Sequence, residues 1–305
     1  MAIVGPTAAG KSDVALELAH MIGGEVVNAD AFQVYRGMDV GTAKLPPAER
    51  RGIPHHLIDI LEVTEELSVA QYQHDGREVL RELAPRGVPA VVVGGSGLYV
   101  RALLDDLRFP GSDAAIRSRW EAMLAEIGPE RLHVMLAAQD PEAATHILPT
   151  NGRRIVRALE VGEITGEPFT AQLPVDGPEL VPHVSIGLDM PRDVLDRRIR
   201  DRVRRMFDDG LVEEVTGLLD KGLRDGRTAR QALGYPQVMD LVDGVLDPAE
   251  AEEGIVLGTR RFARRQQRWF HRDPRTVWMD AGAPAPSTAS SIAALIAEPA
   301  RRLDP

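Results

Sequence analysis

The chain has 305 residues, with 36 Lys and Arg against 46 Asp and Glu for a formal net charge of −10, and is long enough for one large domain or two with a full core. It has no cysteine, which excludes a disulfide framework and a thiolate metal site. No apolar run reaches membrane-spanning length, and the N-terminus enters an apolar strand without a charged leader, so a cytoplasmic location with no membrane partner is expected.

Acidic balance alone argues against a nucleic-acid partner. The distribution argues otherwise: the only lysines are Lys11, Lys44 and Lys221, and the arginines gather in two later helices. Local patches bear on partners, whereas global charge bears on solubility. A compositional bias toward arginine would give the same count and stays open.

The first organised stretch is Ala2-Ile3-Val4 followed by Gly5-Pro6-Thr7-Ala8-Ala9-Gly10-Lys11-Ser12 and an amphipathic run through Val14, Leu18 and Ile22. Strand, glycine loop and helix at the spacing G-x-x-x-x-G-K-S form a P-loop, a nucleotide- and ATP-binding signature. Its amides and helix N-terminus converge on phosphate oxygens. Lys11 supplies a mobile charge, and the Ser12 hydroxyl is a Mg²⁺ ligand type. The opening strand is short, with residues ahead of Met1 or a late start site as the two explanations.

Glu25 to Asp30 reads as a second strand ending in a carboxylate. Ligands in open parallel sheets sit at the strands' carboxyl ends, which places Asp30 near the glycine loop; a turn-capping aspartate is the plain alternative. His55-His56 falls on a short strand, where neighbours face opposite ways, so packing is expected and not a metal pair. Asp59 ends that run and could imitate a magnesium-orienting aspartate. Ser68 caps a helix, and Ala90–Val93 is a buried strand running into Gly94-Gly95-Ser96, with no acid to orient a hydrolytic water.

From 112 to 182 short helices with proline punctuation replace the alternation, as expected of a helical insertion. Asn151 caps one helix, bearing Arg153, Arg154 and Arg157. Strand pattern returns at 184–189. A helix over 192–209 buries Leu195, Ile199, Val203 and Met206, leaving Arg198 and Arg202 at the border of that stripe. A last long helix over 248–273 is expected to bury Ile255, Phe262 and Trp269. Arg260, Arg261, Arg264, Arg265, Arg268 and Arg272 then share one opposing sector, suited to a polyanion or simply solvated. The expected division is an α/β core at 1–111, the insertion at 112–182, more core at 183–282, and a weakly ordered Ala/Pro/Ser tail at 283–305.

Taken in order, the motifs resemble the tRNA dimethylallyltransferases. These are Gly5–Ser12, Asn28–Lys44, Pro54–Asp59, Gly94–Tyr99, Arg154–Glu160, Ala232-Leu233-Gly234-Tyr235 and Thr259–Gln266. The resemblance implies a P-loop NTPase-like parallel sheet with helices and an inserted helical domain. It also implies a monomer that moves the dimethylallyl group of dimethylallyl diphosphate to N6 of adenine 37 in tRNA, with Mg²⁺. On that resemblance Asp30 is the general base, with Lys11, Arg202 and Ser96 as its catalytic company. Gly5, Thr7, Ala8, Ala9, Gly10, Ser12 and Arg198 help cradle the diphosphate. Asp30, Ala31, Phe32, Gln33, Ser96, Arg117, Arg153, Arg154 and Arg157 match tRNA contacts, and the basic helix adds Arg261 and Arg265.

Two positions depart from the family pattern. Ala31 stands where a serine is usual, and Pro236 where many relatives carry a basic residue. A small-molecule kinase, an adenylate prenyltransferase of the cytokinin type, and an RNA-binding protein with a degenerate site remain as alternatives.

Overall fold

The computed structural model describes residues 1–169 and 179–301, and side chains up to residue 297. It divides into two compact units, residues 1–104 with 181–305, and residues 105–180.

The larger unit is built on β1 (Ala2–Val4), β2 (Glu25–Asn28), β3 (His55–His56), β4 (Ala90–Val93), β5 (Ser185–Asp189) and β6 (Thr276–Asp280). Among the described residues these form one sheet, in the order β3-β2-β4-β1-β5-β6. All neighbours are parallel, with Ile3 opposite Val93 and Ile186. Strands covered on both faces read as continuous apolar runs; β1 is buried at every position, as is most of β5. The central strands β1 and β4, with β2 beside β4, bring the glycine loop, Asp30 and Gly94-Gly95 to one edge, the usual ligand edge of such sheets.

Helix α1 (Lys11–Ile22) starts directly from the loop, with Gly10 at its N-cap, and buries Val14, Leu18 and Ala19. Next come α2 (Val69–Leu83), capped by Ser68, and α3 (Gly97–Leu104).

In the second unit, α4 (Ala114–Ile127), α5 (Pro129–Gln139), α6 (Pro141–His146) and α7 (Gly152–Thr165) enclose a separate core around Leu132, Leu136, Ile155 and Leu159. The expected insertion limits of 112–182 thus become 105–180, because Asp105 bridges to Glu179 before the chain rejoins the first unit. Residues 170–178 of that stretch lie outside the described residues.

The first unit resumes through β5 into α8 (Arg192–Asp208), α9 (Leu211–Leu219), α10 (Tyr235–Val242) and α11 (Pro248–Phe270). A capping box at Asp247 and Glu250 starts α11. The expected weakly ordered tail is corrected: α12 (Ala285–Arg301) is a helix packed along α1, with Ala289 and Ile292 fully buried in the core. Pro286, Ser287, Thr288, Ser290 and Ser291 lower the intrinsic helicity of this stretch, and docking on α1 stabilises the helix. Residues 302–305 of that tail lie outside the described residues.

Helix α11 requires a second correction. Its buried stripe is Ala251, Ile255, Val256, Thr259, Ala263, Gln266 and Phe270. Trp269 is 41% exposed, and Phe262 borders a cavity. Stepping in sevens from Ile255 drifts about 20° per step on a straight helix, and two such steps carry Trp269 off the stripe. Arg272 lies beyond the helix, and Arg260 turns toward α8, its Nη2 donating to the Asp196 carbonyl at 3.3 Å.

Candidate functional site

The glycine loop leaves β1 and turns through Ala8, whose φ of 64° lies in the left-handed region. A non-glycine residue held there is mildly strained, at about 1–2 kcal/mol; anion-binding nests use such turns to aim successive amides inward. Lys11 Nζ donates to the Pro6 carbonyl at 2.8 Å. Burial first, then the neighbouring Arg202 charge, lowers the Lys11 pKa to about 8, while Asp30 pulls the other way.

Arg202 arrives from the inner side of α8, and its Nη1 donates to Thr7 Oγ1 at 3.2 Å. Burial, followed by nearby Arg205, pulls its pKa below the ordinary guanidinium value. Two desolvated cations facing one loop disfavour each other unless an anion joins them.

Asp30 follows β2. Its carboxylate accepts the Phe32 N–H at 2.9 Å, and its own N–H donates to Asn28 Oδ1 at 3.1 Å. Asn28 is itself buried and fixed, donating to the Leu57 carbonyl at 2.9 Å while its own carbonyl accepts the Tyr72 hydroxyl at 2.9 Å. The second Asp30 oxygen thereby stays available toward open space.

That space comprises two adjoining cavities. One, of about 170 Å³, is bordered by Thr7, Ala8, Gly10, Lys11, Ser12, Asp30, Gln33, Gly94 and Gly95. The other, about 300 Å³, is lined by Phe32, Val203, Met206, Leu233, Ile255 and Arg265 among others. Thr7, Asp30, Thr42, Ala43, Arg202 and Phe262 border both. An anion-suited compartment and a more apolar one therefore meet at Asp30 and Arg202.

Gln266 of α11 is a residue to which the sequence assigned no role. It is 5% exposed; its Oε1 accepts the Thr7 N–H at 2.8 Å, and its Nε2 donates to the Gly95 carbonyl at 3.0 Å. One amide thus ties the glycine loop to the turn after β4. A Cβ on Gly95 would stand 2.1 Å from Gln266 Nε2, so that contact requires glycine. The available signal was a glutamine lying on the buried stripe, four residues before Phe270.

Four other expected site residues, Ser96, Gly5, Ala31 and Arg198, do not line these two cavities. Ser96 is not among the residues bordering either cavity; it stands ahead of α3, its carbonyl accepting the Val100 N–H at 3.1 Å. Gly5 is buried beneath the loop, and Ala31 packs against the core. Arg198 is exposed and borders a different cavity of about 230 Å³ with Ala9, Gly10 and Asp13. Asp59 is engaged, its Oδ1 2.6 Å from Lys44 Nζ, which leaves it unsuited to orient a metal. His56 pairs with Glu25 at 2.6 Å; among the described residues no cluster of three or more His, Cys, Asp or Glu could hold a metal.

In the second unit, Arg117 and Arg157 converge on the buried Glu160 at 2.8 and 2.9 Å. Arg157 also donates to the Pro110 and Gly111 carbonyls. Both are held inside their own unit, whereas Arg153 and Arg154 are exposed on α7. On α11, Arg261, Arg265 and Arg268 are exposed, and no acidic side chain pairs with them among the described residues. Arg265 lies over the Phe262 ring, 5.7 Å from its centroid.

Comparison with known proteins gives the chain's family. A family model described as IPP transferase matches residues 33–273. The tRNA dimethylallyltransferase of Kineococcus radiotolerans is 58% identical over 287 residues, covering 92% of this chain and 90% of that protein. The crystal structure of a full-length tRNA isopentenylpyrophosphate transferase from Bacillus halodurans superposes with a TM-score of 0.72. It is 39% identical and covers 97% of this chain and 95% of its own. A eukaryotic dimethylallyltransferase described as acting on tRNA superposes with a TM-score of 0.77 at 26% identity, over 92% of this chain and 73% of its own. With the family model spanning residues 33–273 and a relative 58% identical over 92% of its length, the chain belongs to the IPP transferases, the family of the tRNA dimethylallyltransferases.

Proposed function

We propose that this protein transfers the dimethylallyl group of dimethylallyl diphosphate to the N6 amine of adenine 37 in the anticodon loop of tRNA. The observation that carries the reading is the meeting of the two cavities at Asp30 and Arg202. The allylic diphosphate belongs in the smaller one, its phosphates facing the loop amides, Lys11 and Arg202. Adenine belongs in the larger, less polar one, which requires the base to leave the anticodon-loop stack.

In the transfer, N6 bonds to the allylic C1 as the C1–O bond breaks. The bonding pair leaves on the diphosphate, and the N6 proton passes to Asp30. Charge grows on the departing oxygen, where preorganised cations act most strongly. The pKa lowering at Lys11 and Arg202 fits this task, because their charges are poorly compensated until a diphosphate arrives. A kinase reading would need a hydroxyl acceptor in place of the adenine, and the family membership disfavours it.

Mg²⁺ fits the donor set: the Ser12 hydroxyl at the head of α1 is a hard oxygen ligand, and Mg²⁺ ordinarily completes its shell with waters and substrate phosphates. Bound there, the ion would neutralise diphosphate charge; Ser12 would hold it, and Lys11 and the loop amides would orient the phosphates. Exposed Arg261, Arg265 and Arg268 suit the RNA backbone, as do Arg153 and Arg154 of the helical unit. The protein acts as a monomer in the cytoplasm under this reading. Among the described residues no helix is long and apolar enough to cross a membrane.

Three outcomes are expected. Asp30→Asn lowers the single-turnover transfer rate by about 10²–10⁴-fold, the scale of a positioned base, with tRNA affinity nearly unchanged; a near-normal rate would move the proton transfer elsewhere.

The Lys11 pKa of about 8 sets a pH dependence. Below it the ammonium is already charged; above it, binding a diphosphate requires proton uptake. Affinity for inorganic diphosphate, measured by calorimetry, therefore declines as pH rises beyond 8, approaching about ten-fold per pH unit. Lys11→Met abolishes that dependence, and an equally steep decline in this variant would refute the assignment.

Finally, tRNA binding weakens steeply with salt. Each phosphate-contacting arginine removed flattens the log–log slope by about 0.7–0.9. If charge reversal of Arg261, Arg265 and Arg268 together leaves slope and affinity as they were, α11 presents only a solvated face.

A further inference from the structure

The wall opposite the glycine loop is the segment 39–44, which has no regular secondary structure and is held by charge. Glu214 of α9 places one carboxylate against four donors. Its Oε2 accepts the N–H groups of Asp39 at 2.8 Å and Val40 at 2.6 Å, and its Oε1 accepts Gly41 N–H at 3.0 Å and the Tyr235 hydroxyl at 2.6 Å. Three consecutive amides converging on an anion form a nest of the kind that binds phosphates. Here the protein's own carboxylate fills it. Such charge-assisted bonds are about twice as strong as neutral ones.

Tyr235 is fully buried at the head of α10, and burial, then the Glu214 charge, raises its pKa well above the ordinary phenol value. Its hydroxyl therefore remains a donor throughout the physiological range. The ring also lies against the loop: a Cβ on Gly41 would fall 2.7 Å from it. At the other end, buried Lys44 reaches Asp39 and Asp59 at 2.6 Å each and the Tyr35 carbonyl at 2.7 Å.

What lies between the anchors borders the site. Thr42 and Ala43 border both cavities beside Asp30, and the Thr42 carbonyl accepts the Gln33 side-chain amide at 3.1 Å. None of these hydrogen bonds reaches Lys11, Ser12 or the glycine loop. We infer that Glu214 and Tyr235 form a positioning pair that fixes Gly41, Thr42 and Ala43, the wall of the larger, acceptor-side cavity, for the incoming base. The identity of that base rests on the function proposed above. A plain structural prop would instead act on stability and on both substrates alike.

The test pairs hydrogen exchange with kinetics on the full chain. In Glu214→Ala the amides of 39–41 should exchange at least about ten-fold faster than in the wild-type protein, while those of β4 are unchanged. In the same variant kcat/KM for tRNA should fall about ten-fold or more, and KM for dimethylallyl diphosphate should stay within about two-fold. Tyr235→Phe, which removes a single donor and keeps the ring, should shift both readouts in the same direction by less, and it decides the matter if Glu214→Ala does not fold. Unchanged exchange at 39–41 would overturn the clamp. Faster exchange with both substrates affected equally, or with neither affected, would overturn the positioning role. Absence of transfer by the wild-type protein would instead fault the proposed function, and the exchange measurement would still decide the clamp.

Discussion

Two cations held partly out of water beside one loop set the terms for the rest of this structure. Lys11 and Arg202 face the same turn, and each is held below its ordinary pKa chiefly by burial. Uncompensated buried charge is costly, and a fold tolerates it where a ligand supplies the counter-charge. The parallel sheet provides the site because β1, β4 and β2 deliver three loops to one edge. The functional arrangement follows from strand order more than from any single motif.

Helix α11 joins this centre to the surface. Gln266 on its buried side fastens the glycine loop to Gly95, while its other side presents arginines. The same 23-residue helix thus carries both a catalytic-site tie and the proposed RNA face. Placement of Arg265 near the cavity and Arg261 and Arg268 further out gives that face a direction. In the separate helical unit, Glu160 draws Arg117 and Arg157 inward, so the arginines there divide into structural and exposed groups that spacing alone does not distinguish.

Features set by local chemistry were legible in the sequence. The glycine loop, the carboxylate after β2, the buried strand ahead of Gly94-Gly95 and the caps at Ser68 and Asn151 each depend on a few adjacent residues. Features set by three-dimensional neighbours were not. Arg198 and Arg202 occupy equivalent borders of one helix, yet the cavity opens on one side and only Arg202 meets it. The heptad reading of α11 misplaced Trp269 because the true period is nearer 3.6. In the tail the loop-forming Pro, Ser and Thr mask the helical preference of the alanines, and packing on α1 settles the helix. Glu214 gave no sign at all, since the three amides it holds lie more than 170 positions away in the chain.

The most direct measurement is mass analysis of nucleosides from unmodified tRNA incubated with the purified protein, dimethylallyl diphosphate and Mg²⁺, with and without ATP. The account predicts one dimethylallyl adduct, on the adenosine at position 37, formed equally well without ATP and accompanied by release of diphosphate. Strict dependence on ATP, or phosphoryl transfer to a small acceptor with tRNA left unmodified, would contradict it.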